Sequence, residues 1–178
     1  MALKATIFKI SLNIADMDRH YYADHNLVVA RHPSETDERM MFRVLAFAAH
    51  ASEQLAFTKG ISTDDEPDIW EKSLSDEIEL WIDLGQPDEK RLRRACGRAK
   101  QVILFNYGGR TADMWWSQHQ TMIKRFKNLR IFNIPEAAGK ELAQLIHKNM
   151  ELQCIIQEGQ IWFSNHQHNL LIELEQRY

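Results

Sequence analysis

The sequence predicts one α/β domain built around a mixed sheet. Three observations carry that prediction. Residues 4–15 alternate, with Thr6, Phe8, Ile10, Leu12 and Ile14 set against Ile7, Lys9, Ser11 and Asn13, the period-2 pattern of a strand with one buried face. Residues 77–84 alternate again, and after Gly85-Gln86-Pro87 a helical stretch leads into the apolar run 102–107, so helices are interleaved with strands. Near the end, residues 151–157 and 160–164 flank a tight Glu158-Gly159 turn, which reads as an antiparallel hairpin.

The elements follow in order. Asp16-Met-Asp-Arg makes a turn, and Tyr21 to Ala30 returns as the second strand of a hairpin. Pro33-Ser34 opens a helix, with Ser34 as its cap and Asp37 three residues on to answer it. Met41, Val44, Leu45, Ala48 and Leu55 form its apolar stripe. Residues 55–62 read as a strand, 63–67 as an acidic turn and 68–72 as a short strand. Within 77–84, Ile78, Leu80, Ile82 and Leu84 face one way and Glu77, Glu79, Trp81 and Asp83 the other. Pro87 suits the first turn of a helix. Leu92, Ala95, Cys96 and Ala99 bury that helix, and Lys90, Arg91, Arg93, Arg94 and Arg98 cover the rest. Gly108-Gly109 stops the strand at 102–107. A helix with Trp115, Trp116 and Met122, a strand at 129–134, a helix at 135–147 and a strand at 170–175 complete the pass.

Composition narrows the function classes. A chain of 178 residues fits one domain and can bury roughly two thirds of its unfolded surface. A formal charge of -3 predicts no general attraction to nucleic acid or membrane, so a nucleic-acid site has to be a local basic patch. Cys96 and Cys154 both sit in apolar contexts without metal spacing, which reads as reduced thiols in a cytoplasmic protein. No apolar run is long enough to span a membrane.

The chemistry candidates concentrate between Pro67 and Ala95. Asp68, Trp70 and Lys72 share one strand face, and Glu79, Trp81 and Asp83 share a face of the next strand. Neighbouring strands in suitable register bring Asp68 and Asp83 together. Two carboxylates suit Mg2+ or Mn2+, which take hard oxygen ligands and keep several waters. Such a cation activates bound water and offsets charge developing on a phosphate. The plainer reading of alternating acids is a solvated strand face, and five cations on one helix are ordinarily a solvated surface. Arg91, Arg94 and Arg98 nonetheless form an i, i+3, i+7 stripe that suits a phosphate backbone. Trp115-Trp116 suits core packing better than base stacking.

The order helix, strand, strand, strand, helix, strand over 34–106 resembles the core of the PD-(D/E)XK nuclease fold. That resemblance implies that Asp68, after Pro67, and Asp83 hold a divalent cation, that Glu38 takes the place of an accessory acid, and that a lysine stands two residues after Asp83. Gly85 occupies that position. The stem of Lys90, in the first turn of the next helix, is long enough to return a charge toward Asp83. The chain as a whole resembles the YaeQ family of small bacterial proteins. The resemblance is carried by Met-Ala-Leu-Lys-Ala-Thr-Ile at 1–7, Arg-His-Pro-Ser-Glu-Thr at 31–36, Glu-Arg-Met-Met at 38–41, Asp-Asp-Glu-Pro at 64–67, Leu-Trp-Ile-Asp-Leu-Gly at 80–85, Pro-Asp-Glu at 87–89 and Gly-Gln-Ile-Trp-Phe-Ser at 159–164. It implies a restriction-endonuclease-like αβββαβ core with added antiparallel strands, and no settled activity.

Two functional expectations follow. The first is a Mg2+-dependent nuclease with Asp68 and Asp83 on the metal, Glu38 assisting, Lys90 replacing the absent lysine and Arg91, Arg94 and Arg98 on the nucleic acid. The second is a catalytically inactive member that binds nucleic acid or protein. Losing a charge beside the nucleophile favours the second, and paired acids favour the first. A third reading, a protein-interaction module, needs Trp70, Trp81 or Trp115 at the surface.

Overall fold

The structure is a computed structural model, and it describes residues 4–59 and 65–178. The elements run β1 (Thr6–Asp16), β2 (Tyr21–Arg31), α1 (Asp37–His50), β3 (Leu55–Phe57), β4 (Ile69–Lys72), β5 (Ile78–Leu84), α2 (Glu89–Arg98) and β6 (Ala99–Asn106). They continue α3 (Arg110–Ile123), β7 (Leu129–Asn133), α4 (Glu136–Ala143), β8 (Asn149–Gln157), β9 (Gln160–Ser164), β10 (Asn169–Ile172) and β11 (Glu175–Gln176).

These strands make two sheets, where the sequence suggested one. The chain correspondingly forms two compact units, Met1–His50 with Ala137–Leu174, and Ala51–Glu136 with Glu175–Tyr178.

In the first unit the sheet order is β10-β9-β8-β1-β2. β1 pairs antiparallel with β2 and parallel with β8. The alternation read from the sequence is the observed burial: Phe8, Ile10, Leu12 and Ile14 are buried, and Lys9, Ser11 and Asn13 are exposed. The buried face meets α1 at β2, where Phe47 stands edge-on to His25 at a ring distance of 5.2 Å and Arg43 donates to the Ala30 carbonyl. Arg43 is itself held by both oxygens of buried Glu35, at 2.6 and 2.9 Å. α4 lies close to α1 at Gly139, where an added Cβ would stand 2.9 Å from the Phe42 ring.

Helix α1 begins later than the sequence suggested. Its first residue is Asp37, and the Thr36 hydroxyl accepts from the Arg39 amide at 3.1 Å. Thr36 is therefore the cap, while Ser34 is tied to His32. α4 likewise stops at Ala143 rather than continuing to His147.

In the second unit the order is β11-β7-β6-β5-β4-β3. β5, β6 and β7 are parallel, with α2 and α3 as the crossovers, and β3, β4 and β5 are antiparallel. Trp81, Leu92, Val102, Trp115, Leu129 and Ile131 are the centre of its core. β5 is buried on both faces from Leu80 to Leu84, as expected for a strand inside a parallel sheet covered by helices. Trp81 and Trp115 are 0% and 6% exposed, so the surface role considered for them is excluded by packing. The strand read at 55–62 is observed as Leu55–Phe57; its residues 60–62 and the turn residues Thr63 and Asp64 lie outside the described residues. The last strand divides: Ile172 ends β10, and β11 pairs antiparallel with β7.

Candidate functional site

The site is built where β4 begins and β5 ends. Asp68, just before β4, donates its amide to the Ile82 carbonyl at 3.1 Å, and its carbonyl accepts from Thr58. Its Oδ2 accepts the Leu84 amide at 2.9 Å. Trp70 pairs with Trp81 and Ile69 with Ile82, so the register brings Asp68 beside the Asp83 end of β5. Both acids are buried, at 5% and 4% exposure.

α2 then folds back over this pair. Asp88 caps it, accepting the Arg91 amide at 2.8 Å. From that first turn Arg91 donates Nε to Asp83 Oδ2 at 2.9 Å and Nη2 to Asp83 Oδ1 at 3.0 Å. This is the fork-to-fork geometry that makes arginine the strongest partner for a carboxylate. The same Nη2 reaches the Glu66 carbonyl at 3.0 Å. Arg94 meets the Asp65 carboxylate at 3.5 Å, and Arg98 donates to the Asp65 carbonyl at 2.5 Å. Arg98 also lies over the Trp81 ring, 5.4 Å from its centroid. The arginine stripe read from the sequence therefore stitches α2 to residues 65–66 and to Asp83.

Lys90 is the exception. It makes no ion pair among the described residues, and with Asp88, Arg91 and Arg94 it lines a cavity of about 250 Å3. The cation that reaches Asp83 is Arg91, one residue further along α2. Glu38 lies on α1 in the first unit, its Oε2 2.9 Å from where a Cβ on Gly139 would stand.

Gly85 has a φ of +114°, and an added Cβ would have no atom within 4 Å. A Cβ meets no atom there; the backbone conformation is what selects glycine. The Gly85 carbonyl accepts from Asn106 Nδ2 at 2.7 Å.

Asn106 and Asn133 were not singled out from the sequence. They face each other in register at the ends of parallel strands β6 and β7, and both are buried. Each leaves its Oδ1 without a hydrogen-bond partner. The Gly85 carbonyl can only accept, so it fixes which end of the Asn106 amide carries the nitrogen. The sequence signal was an asparagine closing each of two apolar runs, Leu104-Phe-Asn and Ile131-Phe-Asn.

With Arg91 on both of its oxygens, Asp83 is not open to a cation in this arrangement. Both Asp83 oxygens face a guanidinium whose charge would repel the ion, and Asp68 Oδ2 is committed to Leu84. Among the described residues no three His, Cys, Asp or Glu side chains come together as a metal set. Glu77 and Glu79 stand apart: Lys100 bridges them at 3.2 and 2.7 Å on the surface, and the Glu79 and Glu77 hydrogen bonds raise the Lys100 pKa.

The class defined by this fold is a mixed α/β protein of two sheets, with a buried acid pair clamped by a helix-borne arginine. The YaeQ protein family model matches residues 1–174, and the chain belongs to that family. It is 47% identical over 174 residues to the Uncharacterized protein YaeQ of Salmonella typhi, covering 98% of this chain and 96% of the relative. The Escherichia coli K12 protein of the same name is 45% identical over the same length and coverage. The crystal structure of YaeQ protein from Xanthomonas axonopodis pv. citri aligns with a TM-score of 0.94 at 43% identity, covering 97% of this chain and 98% of that one. That from Pseudomonas syringae aligns at 0.93 and 36% identity, over 98% and 96%. No helix among the described residues is long and apolar enough to cross a membrane.

Proposed function

We propose that the second unit is a nuclease-like core of the PD-(D/E)XK type that binds the phosphodiester backbone of nucleic acid without cutting it. Its elements β3, β4, β5, α2 and β6 follow α1 of the first unit in the chain, which is the αβββαβ order of that core. The observation that carries the reading is the bidentate Arg91–Asp83 pair. It occupies the carboxylate that catalysis would need for a metal, and Gly85 removes the usual lysine. The cavity lined by Lys90, Arg91 and Arg94 is the place for a phosphate, which suits arginine and lysine donors. The Arg94–Asp65 contact is long, with Asp65 87% exposed, so a phosphate exchanges for it at little cost.

The experiment is fluorescence anisotropy with single- and double-stranded DNA and RNA oligonucleotides over a salt series, with cleavage followed in millimolar Mg2+ and Mn2+. Binding is expected to weaken with salt. Substituting Lys90→Ala or Arg94→Ala should reduce the salt slope by about 1 each. Absence of binding at low salt overturns the reading.

The second reading, a Mg2+-dependent nuclease using Asp68 and Asp83, is favoured by two buried carboxylates on adjoining strands. Cleavage that disappears in Asp83→Asn establishes it instead.

A further inference from the structure

The sheet of the first unit leaves one face to solvent, and its register sets that face in rows across the strands. Trp162, Ile155, Ala15 and Tyr22 form one row. Ser164, Gln153, Asn13 and Asp24 form the next, then Glu151, Ser11 and Asn26. A cavity of about 560 Å3 is lined by the Glu151 row together with His147 and the loop at 165–167. A second cavity, of about 400 Å3, lies over the Gln153 row and shares Ser11, Asn26, Glu151, Asn165 and His166 with the first. Together they make one groove, in the size range of small-ligand sites (roughly 300–1,000 Å3).

The groove is prearranged. Asn165 Oδ1 accepts the Gln167 and His168 amides at 2.8 Å each, fixing the loop wall. His166 Nε2 lies 3.0 Å from Glu151 Oε2. Asn13 Nδ2 donates to Asp24 Oδ1 at 2.7 Å.

We propose that this groove binds a neutral oligosaccharide. Its polar lining is chiefly amides, hydroxyls and imidazoles, which both donate and accept, as sugar hydroxyls do. Among the described residues that line the two cavities, the cation Lys9 stands against the carboxylates of Asp24 and Glu151, so a polyphosphate is repelled rather than attracted. The floor strands β1, β8 and β9 are interior, so a peptide could add as a strand only along the edge strand β2. Trp162 and Tyr22, 36% and 61% exposed, stand one row from Gln153 and Asn13. Their rings give an apolar plane with a polar tip, which suits the C–H face of a pyranose while its hydroxyls turn to the amides. This site is separate from the phosphate cavity beside α2, which belongs to the other unit.

The test is a nuclear magnetic resonance titration of the full 15N-labelled chain with maltohexaose and chitohexaose, and with a dT oligonucleotide and an oligolysine peptide as counter-probes. At least one glycan should shift the side-chain amides of Asn13, Asn26 and Gln153 and the Trp162 indole together, saturating with a Kd of about 1 mM or tighter. Trp162→Ala should weaken it about tenfold, and Asn13→Ala with Gln153→Ala, both on the surface, should abolish saturation while the remaining spectrum stays folded. The proposal is overturned if neither glycan saturates these signals, or if the oligonucleotide or the peptide does so instead.

Discussion

At the residue scale, Gly85 and Arg91 decide how the acid pair behaves. Gly85 sits at a φ of +114°, where any side chain is strained. Gly85→Lys should therefore destabilise the chain by about 1–3 kcal/mol, measured by thermal unfolding, and should confer no cleavage although its Cβ meets no atom. Arg91 neutralises a carboxylate that is 4% exposed. Arg91→Ala leaves that charge buried and should cost about 3 kcal/mol in urea unfolding, whereas Asp83→Asn combined with Arg91→Gln should recover much of the loss. The faces of Asp68 and Asp83 were legible, because strand parity sets which side chains share a face, and the β4–β5 register then brought the two together. The identity of their cation was not. Lys90 and Arg91 are adjacent in sequence but about 100° apart around a helix, and only the phase of α2, set by its Asp88 cap, turns Arg91 toward Asp83.

At the element scale, the long alternating strands were legible and the helix ends were not. β1 announces itself by core and solvent alternation, and β5 by the alternation of its residue types. Trp81 between Glu79 and Asp83 suits a covered face, and β5 is buried on both sides from Leu80 to Leu84. For α1, Ser34 and Thr36 are both competent caps, and the choice depends on where the chain leaves β2. The Thr36 hydroxyl makes the bond. Thr36→Ala should accordingly lower stability by about 1 kcal/mol, while Ser34→Ala, at an exposed site tied only locally to His32, should change the denaturation midpoint far less.

At the scale of the whole molecule, each cysteine belongs to one of the two units, and both resist ionisation. Burial pushes Cys154 up to about 12 and Cys96 up to about 11 from an ordinary value of 9.0. Both folded values lie above the unfolded one, so above pH 9 the unfolded chain gives up thiol protons that the folded chain keeps. Stability is then full below that pH and falls as pH rises toward the folded values. The alkaline limb of the stability curve should flatten when both cysteines are replaced by alanine, which urea unfolding between pH 8 and about 10.5 would record. The sequence by itself determined the alternation of helix and strand and the faces of β1 and β5, since these follow from periodicities of 2 and 3.6, while the register of β4 on β5 brought Asp68 beside Asp83. Only the tertiary structure decided that there are two sheets, that Arg91 clamps Asp83, that Asn106 meets Asn133, and that the outer face of β1 becomes a groove. β1 finds β8 across more than a hundred residues of chain, and no local pattern specifies such a partner. Long-range pairing is selected by the total burial of the folded chain.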